Sequence, residues 1–366
     1  MITPSLHEMA VVARMMEERG LRIPLFVGGA TTSDLHTAVC LASEYSGPVV
    51  HTEGAASLPG PLTDFVSSRR DEVFALLRRK QTELSDNYHR QSETGRCSLK
   101  EARDRAVAVK YPSAAPLSVG DHLIEIPIAD LVALINWRPL MHEWGLNPGD
   151  TQTAEAVRIL DDAKLMLEDM RGSFKARVTI LPARRYGDNI EIDDDITLPT
   201  IRSLTPNQVT GACQALSDFI AENDDHIGLF VVTSAGSGLP EAIGQLKEMG
   251  EYRALLMQSL AHRLAEAATE WLHRYVRKTL WGIPESCGIR PAIGYSCLPD
   301  QSLVEILDKR LDYRSLGIKV TENGALSPSA TTTGLIIGHP ESRYFETSKL
   351  TEEAFTDYAE RRGRDT

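Results

Sequence analysis

The stretch GIRPAIGYSCLPD, residues 288–300, carries one arginine and one tyrosine among two prolines and two glycines. Pro291 and Pro299 remove backbone donors and fix φ, while Gly288 and Gly294 open conformations that other residues avoid. Such a stiff segment holds Arg290 and Tyr295 with little residual entropy. Arg290 can fork onto a ligand carboxylate, or it can pair with a surface acid. Tyr295 offers a flat ring and a hydroxyl. A second patch, GHPESRYFE (338–346), places Tyr344 and Phe345 side by side, so an extended backbone turns them to opposite faces. One ring can then pack inward while the other walls a planar group, or both can pack. INWRPL (135–140) sets Asn136 and Trp137 where a helix gives way to Pro139. Gly28 and Gly29 in VGGATTS sit where a parallel strand meets a helix start. That is either the ligand edge of a doubly wound sheet or a tight turn with no ligand.

The chain that must position these residues has 366 residues, room for two domains. Its 39 basic and 51 acidic residues give a net charge of −12, and no Lys/Arg stripe interleaves with aromatics, which argues against nucleic acid. Cys40, Cys97, Cys213, Cys287 and Cys297 are odd in number, widely spaced and free of any C-x-x-C. They fit reduced thiols in a cytoplasmic protein better than a disulfide frame or a zinc site. The opening MITPSLHEMA has neither a basic leader nor a long apolar run, so neither a signal peptide nor a membrane span is expected.

Periodicity organises the chain in two parts. Leu6, Met9, Val12 and Met16 space a helix over 5–19. RIPLFVGGATTS reads as a buried strand and glycine turn, then comes a helix over 34–44, then the apolar run GPVVHT. Helix, strand, helix, strand is the rhythm of a parallel α/β sheet, and two such strands read as the tail of a doubly wound domain whose first half is missing. A charged helix follows over 67–92. Residues 93–120 read as a linker, and a new domain starts at 121. Its elements are helices near 127–136, 153–171 and 205–222, a hairpin through ARVTILPA and IEID, and a strand HIGLFVVT. The longest helix runs over about 250–279, with Leu256, Leu260, Leu264, Ala268, Trp271 and Tyr275 as its apolar stripe. His262, Glu266, Glu270 and Arg277 lie off that stripe. Asp193–Asp195 reads as a solvated turn rather than a metal site.

Taken in order, ITPSLHEM, PLFVGGATTS, AVCLASEYSGPVVH, INWRPLMHEW, LPARRYGDNIEI, LAHRLAEAATEWLHRYVRKTLWG, GIRPAIGYSCLPD and HPESRYF resemble the C-terminal part of cobalamin-dependent methionine synthase. The resemblance covers almost the whole chain. It implies a partial, flavodoxin-like cobalamin-binding half-domain over 1–92. An activation domain binding S-adenosylmethionine (AdoMet) over 121–366 would follow, built on a mainly antiparallel twisted sheet with helices. Matching position by position, it implies AdoMet contacts at Asn136, Glu266, Arg290, Ala292, Tyr344 and Phe345. It implies cobalamin contacts at Thr3, Gly28, Gly29 and Ala55, with Tyr295 facing the corrin.

The role so implied is reductive reactivation: AdoMet methylates cobalamin after a flavodoxin-type donor has reduced oxidised cob(II)alamin. The expected partner is a chain carrying the homocysteine and folate barrels and the front half of the B12 domain, including the cobalt-ligating histidine. By itself the chain is expected not to make methionine. Three positions depart from the family pattern: Asn136 stands for an aspartate, His262 for an aspartate and Gln301 for a histidine. They motivate the alternative of a stand-alone or degenerate AdoMet- or corrinoid-binding module. A dinucleotide oxidoreductase would rest on Gly28–Gly29 alone and lacks G-x-G-x-x-G.

Overall fold

The computed structural model describes residues 3–28, 32–52, 58–93, 95–146, 153–168, 170–347 and 349–363. The chain folds into two compact units, Met1–Gly95 and Arg96–Thr366. Among the described residues no helix is long and apolar enough to cross a membrane.

The first unit holds α1 (Thr3–Glu18), β1 (Leu25–Gly28), the short α2 (Asp34–His36), β2 (Val49–Thr52), α3 (Pro59–Val66) and α4 (Arg70–Glu93). β1 and β2 pair in parallel, Leu25 with Val49 through Gly28 with Thr52. Ala13, Val27, Leu41, Tyr45 and Val49 form its core, with Met9 and Met16 packed against them. The α1 stripe turns on Ala13, fully buried, and not on Val12, which is exposed. Ser33 caps α2 by accepting from His36 N, but the expected helix over 34–44 changes to a π turn at Thr37–Leu41.

The second unit starts earlier than the sequence suggests. Part of the expected linker is folded into it: α5 (Leu99–Asp104) is closed by a Ser98–Glu101 capping box. Backbone bonds run from Cys97 N to Leu204 O, from Val109 N to Asp218 O and from Ser118 N to Leu280 O. The remaining elements are β3 (Gly120–Pro127), α6 (Ile128–Leu131), α7 (Trp137–Glu143), α8 (Ala154–Glu168), β4 (Ser173–Tyr186), β5 (Asn189–Ile192), β6 (Ile196–Pro199) and β7 (Asp225–Thr233). After them come α9 (Leu239–Met249), α10 (Glu251–Tyr275), α11 (Val304–Leu311), β8 (Lys319–Val320), β9 (Leu326–Ser327), β10 (Thr331–Ile336) and α12 (Glu352–Arg362).

Its sheet is antiparallel, in the order β10-β7-β4-β5-β6, with β3 also on β4. Side chains alternate between two cores, as the period of a strand requires. Phe174, Ala176, Val178, Phe230, Val232 and Ile336 face the α10 side. Ile227, Leu229, Val231, Leu335 and Ile337 face α11.

The long helix also differs in detail. Its buried stripe continues through Leu272 and Val276, while Trp271 and Tyr275 stack on each other, 5.3 Å between centroids, at the rim. The buried residues keep the step of four from Leu256 through Ala268 to Leu272 and Val276; the expected stripe takes a step of three after Ala268 and so lands on Trp271 and Tyr275, on the neighbouring line of the helix. The helix expected near 205–222 is a single 3₁₀ turn, Leu216–Phe219. Gly211 there takes φ 67°, and the buried carboxylate of Asp218 accepts from Ala215 N and from both terminal nitrogens of Arg202, which holds the segment open. Asp193–Asp195 form an exposed turn, as expected, and within it Asp193 and Asp195 pair with Arg310, at 2.9 and 2.6 Å.

Candidate functional site

The segment at 288–293 is an added strand rather than an irregular loop. Ile289 exchanges both backbone bonds with Ile337 at 3.0 Å, Leu335 N donates to Pro291 O at 2.9 Å, and Ile293 N donates to Thr333 O at 2.9 Å. It thus lies antiparallel along β10, on the side not used by β7. Gly288, at φ 82°, starts it, and Gly294, at φ 91°, ends it in a turn where Tyr295 N donates to Ala292 O. Ala292 is buried opposite Gly334.

In such a ladder alternate N–H groups point away from the partner strand. The outward N–H of Arg290 is taken by Tyr344 Oη at 2.9 Å, which locks the two patches into one site. Burial pushes the Tyr344 phenol up, against the opposing pull of the Arg290 backbone and guanidinium. The ring thus stays a neutral phenol whose own hydrogen is left to donate. Tyr295 and Tyr344 lie 6.2 Å apart with rings inclined at 49°, each about half exposed. The neighbouring aromatic turns the other way: Phe345 packs on the α11 core, 6.3 Å from Phe219.

The Arg290 side chain is 12% exposed, its Nε has no acceptor, and its Nη2 lies 3.8 Å from Glu270 Oε2. Glu270 also takes Arg274 Nε on its other oxygen at 2.9 Å. Behind them on α10, His273 is buried with an unpartnered Nε2. Burial, reinforced by the Arg277 and Arg290 charges, pushes it down to about 3, so it is a neutral imidazole.

The other expected residues are engaged locally. Asn136 caps α7, its Oδ1 accepting from Arg138 N at 3.2 Å, and Glu266 pairs with Arg263 at 3.1 Å. His262 Nε2 meets Ser329 Oγ at 3.2 Å, and Gln301 donates to the carbonyl of Gly324. The structure therefore unites Arg290, Ala292, Tyr295 and Tyr344, with Phe345 backing them. Asn136 and Glu266 stand on α7 and α10, which pack together.

In the first unit, Gly28 packs so tightly that a β-carbon would stand 2.9 Å from the Thr52 carbonyl oxygen, so the strand pairing itself calls for a glycine there. Gly29, Ala55 and the side chain of Thr3 lie outside the described residues.

Glu270 and His273 were not among the residues expected to bind. A spacing of four sets 262, 266 and 270 on one helix face, a signal present in the sequence. His273 has no such signal, because it falls among the buried residues of the same helix.

Comparison with known proteins fits this geometry. The family model for the activation domain of vitamin B12-dependent methionine synthase matches residues 127–363. A crystal structure of the MetH reactivation domain bound to S-adenosylhomocysteine (AdoHcy) is similar at 29% identity, with a TM-score of 0.67, over 74% of this chain and 95% of that one.

Proposed function

The chain belongs to the activation-domain family of B12-dependent methionine synthase, and from that premise we propose that its second unit binds AdoMet and AdoHcy at the Arg290–Tyr344 site. The Arg290 N–H to Tyr344 Oη bond carries this reading, because it joins a guanidinium short of acceptors to an exposed aromatic wall. The methionine carboxylate suits Arg290, and the exposed Tyr344 ring suits adenine or the sulfonium. Ala292 leaves room beside them, Phe345 backs the wall, and Asn136 and Glu266 reach the ligand from the helical side.

In this reading AdoMet supplies the methyl group for reductive methylation of cobalamin. The activation domain is one module of that enzyme, so it works against others: the homocysteine and folate barrels, a cobalamin domain and a flavodoxin-type reductant. Tyr295, exposed next to Tyr344, faces the corrin when the modules dock. The first unit, with its two parallel strands, is assigned to cobalamin binding through Thr3, Gly28, Gly29 and Ala55. The reduced thiols Cys97, Cys213, Cys287 and Cys297 suit a cytoplasmic setting.

Titration calorimetry with AdoHcy tests the reading. Saturable binding is expected, and Arg290→Ala weakens it by about 30- to 100-fold, the loss of a charge-assisted fork. The alanine keeps the backbone bond to Tyr344, so the fold survives the change. No heat from the unaltered protein at millimolar AdoHcy would sink the proposal.

A further inference from the structure

We propose that Glu270 is the ammonium-binding half of a clamp for an α-amino acid, with Arg290 as the carboxylate-binding half. The inference rests on the AdoMet-site reading above and adds a residue that decides which ligands the site accepts.

The geometry of the Arg290–Glu270 pair points to it. At 3.8 Å the two charges attract, but the separation exceeds a hydrogen bond, so neither group spends its hydrogen-bonding capacity on the other. Arg290 keeps its Nε without an acceptor although the side chain is largely buried. Glu270 keeps Oε2 in hand while Arg274 fixes Oε1 at 2.9 Å and so orients the carboxylate. A zwitterion presents the complementary arrangement: a carboxylate for the guanidinium and, one carbon away, an ammonium for the carboxylate. Its arrival converts one loose ion pair into two charge-assisted ones.

The other polar groups serve this purpose less well. Asn136 is uncharged, and its carbonyl already caps α7. Glu266 is committed to Arg263 and is more exposed, at 56% against 37% for Glu270. His273 is neutral, faces inward and brings no negative charge. Glu270 therefore supplies the anion that Asn136 lacks.

The test compares AdoHcy with its des-amino analogue, 5′-deoxy-5′-(3-carboxypropylthio)adenosine, by calorimetry on the full chain and on Glu270→Gln. The amide is isosteric, and a thermal melt checks that the variant is folded. The unaltered protein is expected to favour AdoHcy by about 10- to 100-fold, one charge-assisted hydrogen bond. Glu270→Gln should lose that factor for AdoHcy and hold the analogue within about twofold. Equal losses for both ligands, or none for either, overturn the clamp while leaving the AdoMet site standing, provided Arg290→Ala still abolishes tight binding. Failure of the unaltered protein to bind either ligand overturns both proposals.

Discussion

A β-carbon on Gly334 would stand 2.2 Å from the carbonyl oxygen of Pro291 and 2.6 Å from the α-carbon of Ala292. The strand that carries Arg290 lies on β10 because that one position has no side chain. Gly334→Ala is therefore expected to lift residues 290–293 off the sheet edge, lowering stability by about 1–3 kcal/mol. AdoHcy affinity should fall at least about tenfold, the equivalent of about 1.4 kcal/mol. Gly244→Ala is the control. That glycine lies within α9 with nothing within 4 Å of the added carbon, so the change should leave binding alone and raise the melting temperature slightly. Unchanged AdoHcy binding by a folded Gly334→Ala protein would refute the argument.

His273 gives the protein a mildly acidic weak point. Its folded-state pKa lies below the unfolded value of 6.5, at about 3, through burial and then the Arg277 and Arg290 charges. The unfolded chain therefore takes up the proton first, and stability present above pH 6.5 is lost as pH falls from there toward 3. At pH 5 the loss amounts to about 2 kcal/mol. His273→Gln lacks this group, so its melting temperature should fall less between pH 6.5 and 5 than that of the unaltered protein. Parallel curves for the two proteins would exclude this origin.

A second, more acidic weak point lies across the sheet. Arg202, 2% exposed, is held by Asp188 at 2.6 Å and by Asp218 at 2.7 Å, and Arg103 reaches Asp188 from the surface. Burial alone raises the Asp188 carboxyl, but the Arg202 and Arg103 guanidiniums outweigh it and hold it below the usual carboxylate range. That stability is complete above the ordinary aspartate range and fades as pH falls through the lower folded value, below about pH 4. Asp218→Ala leaves half of a buried fork unpaired and should cost about 3–5 kcal/mol in urea unfolding. A loss under about 1 kcal/mol, the size of a surface pair, would show the network to be solvated.

The sequence announces the site better than its support. Arg290, Tyr295 and the Tyr344–Phe345 pair stand out by residue type, and the opposite facing of the last two follows from extended backbone. The strand at 288–293 does not stand out, because prolines and glycines hide a ladder whose partner, β10, lies some forty residues on. Trp271 and Tyr275 look like core by residue type, yet the step of four from Leu256 through Ala268 passes the stripe to Leu272 and Val276. Residues 205–222 look helical by composition, and the left-handed Gly211 with the buried Arg202 fork explains why they are not. Long-range pairing and buried charge are tertiary facts, and local pattern carries neither.

The alternation of one sheet between two apolar layers has a consequence for how this surface can change. Ala292 roots the segment that carries Arg290 in the layer under α10, whereas Ile289 and Leu298 root it in the layer under α11. The far layer contains Phe345 and fixes where the strand lies. The near side, where Asn136, His262 and Glu270 sit, can exchange one polar group for another without disturbing that anchorage. Ligand preference at these polar positions is thereby separable from foldedness, which rests on the apolar layers on both faces of the same strands.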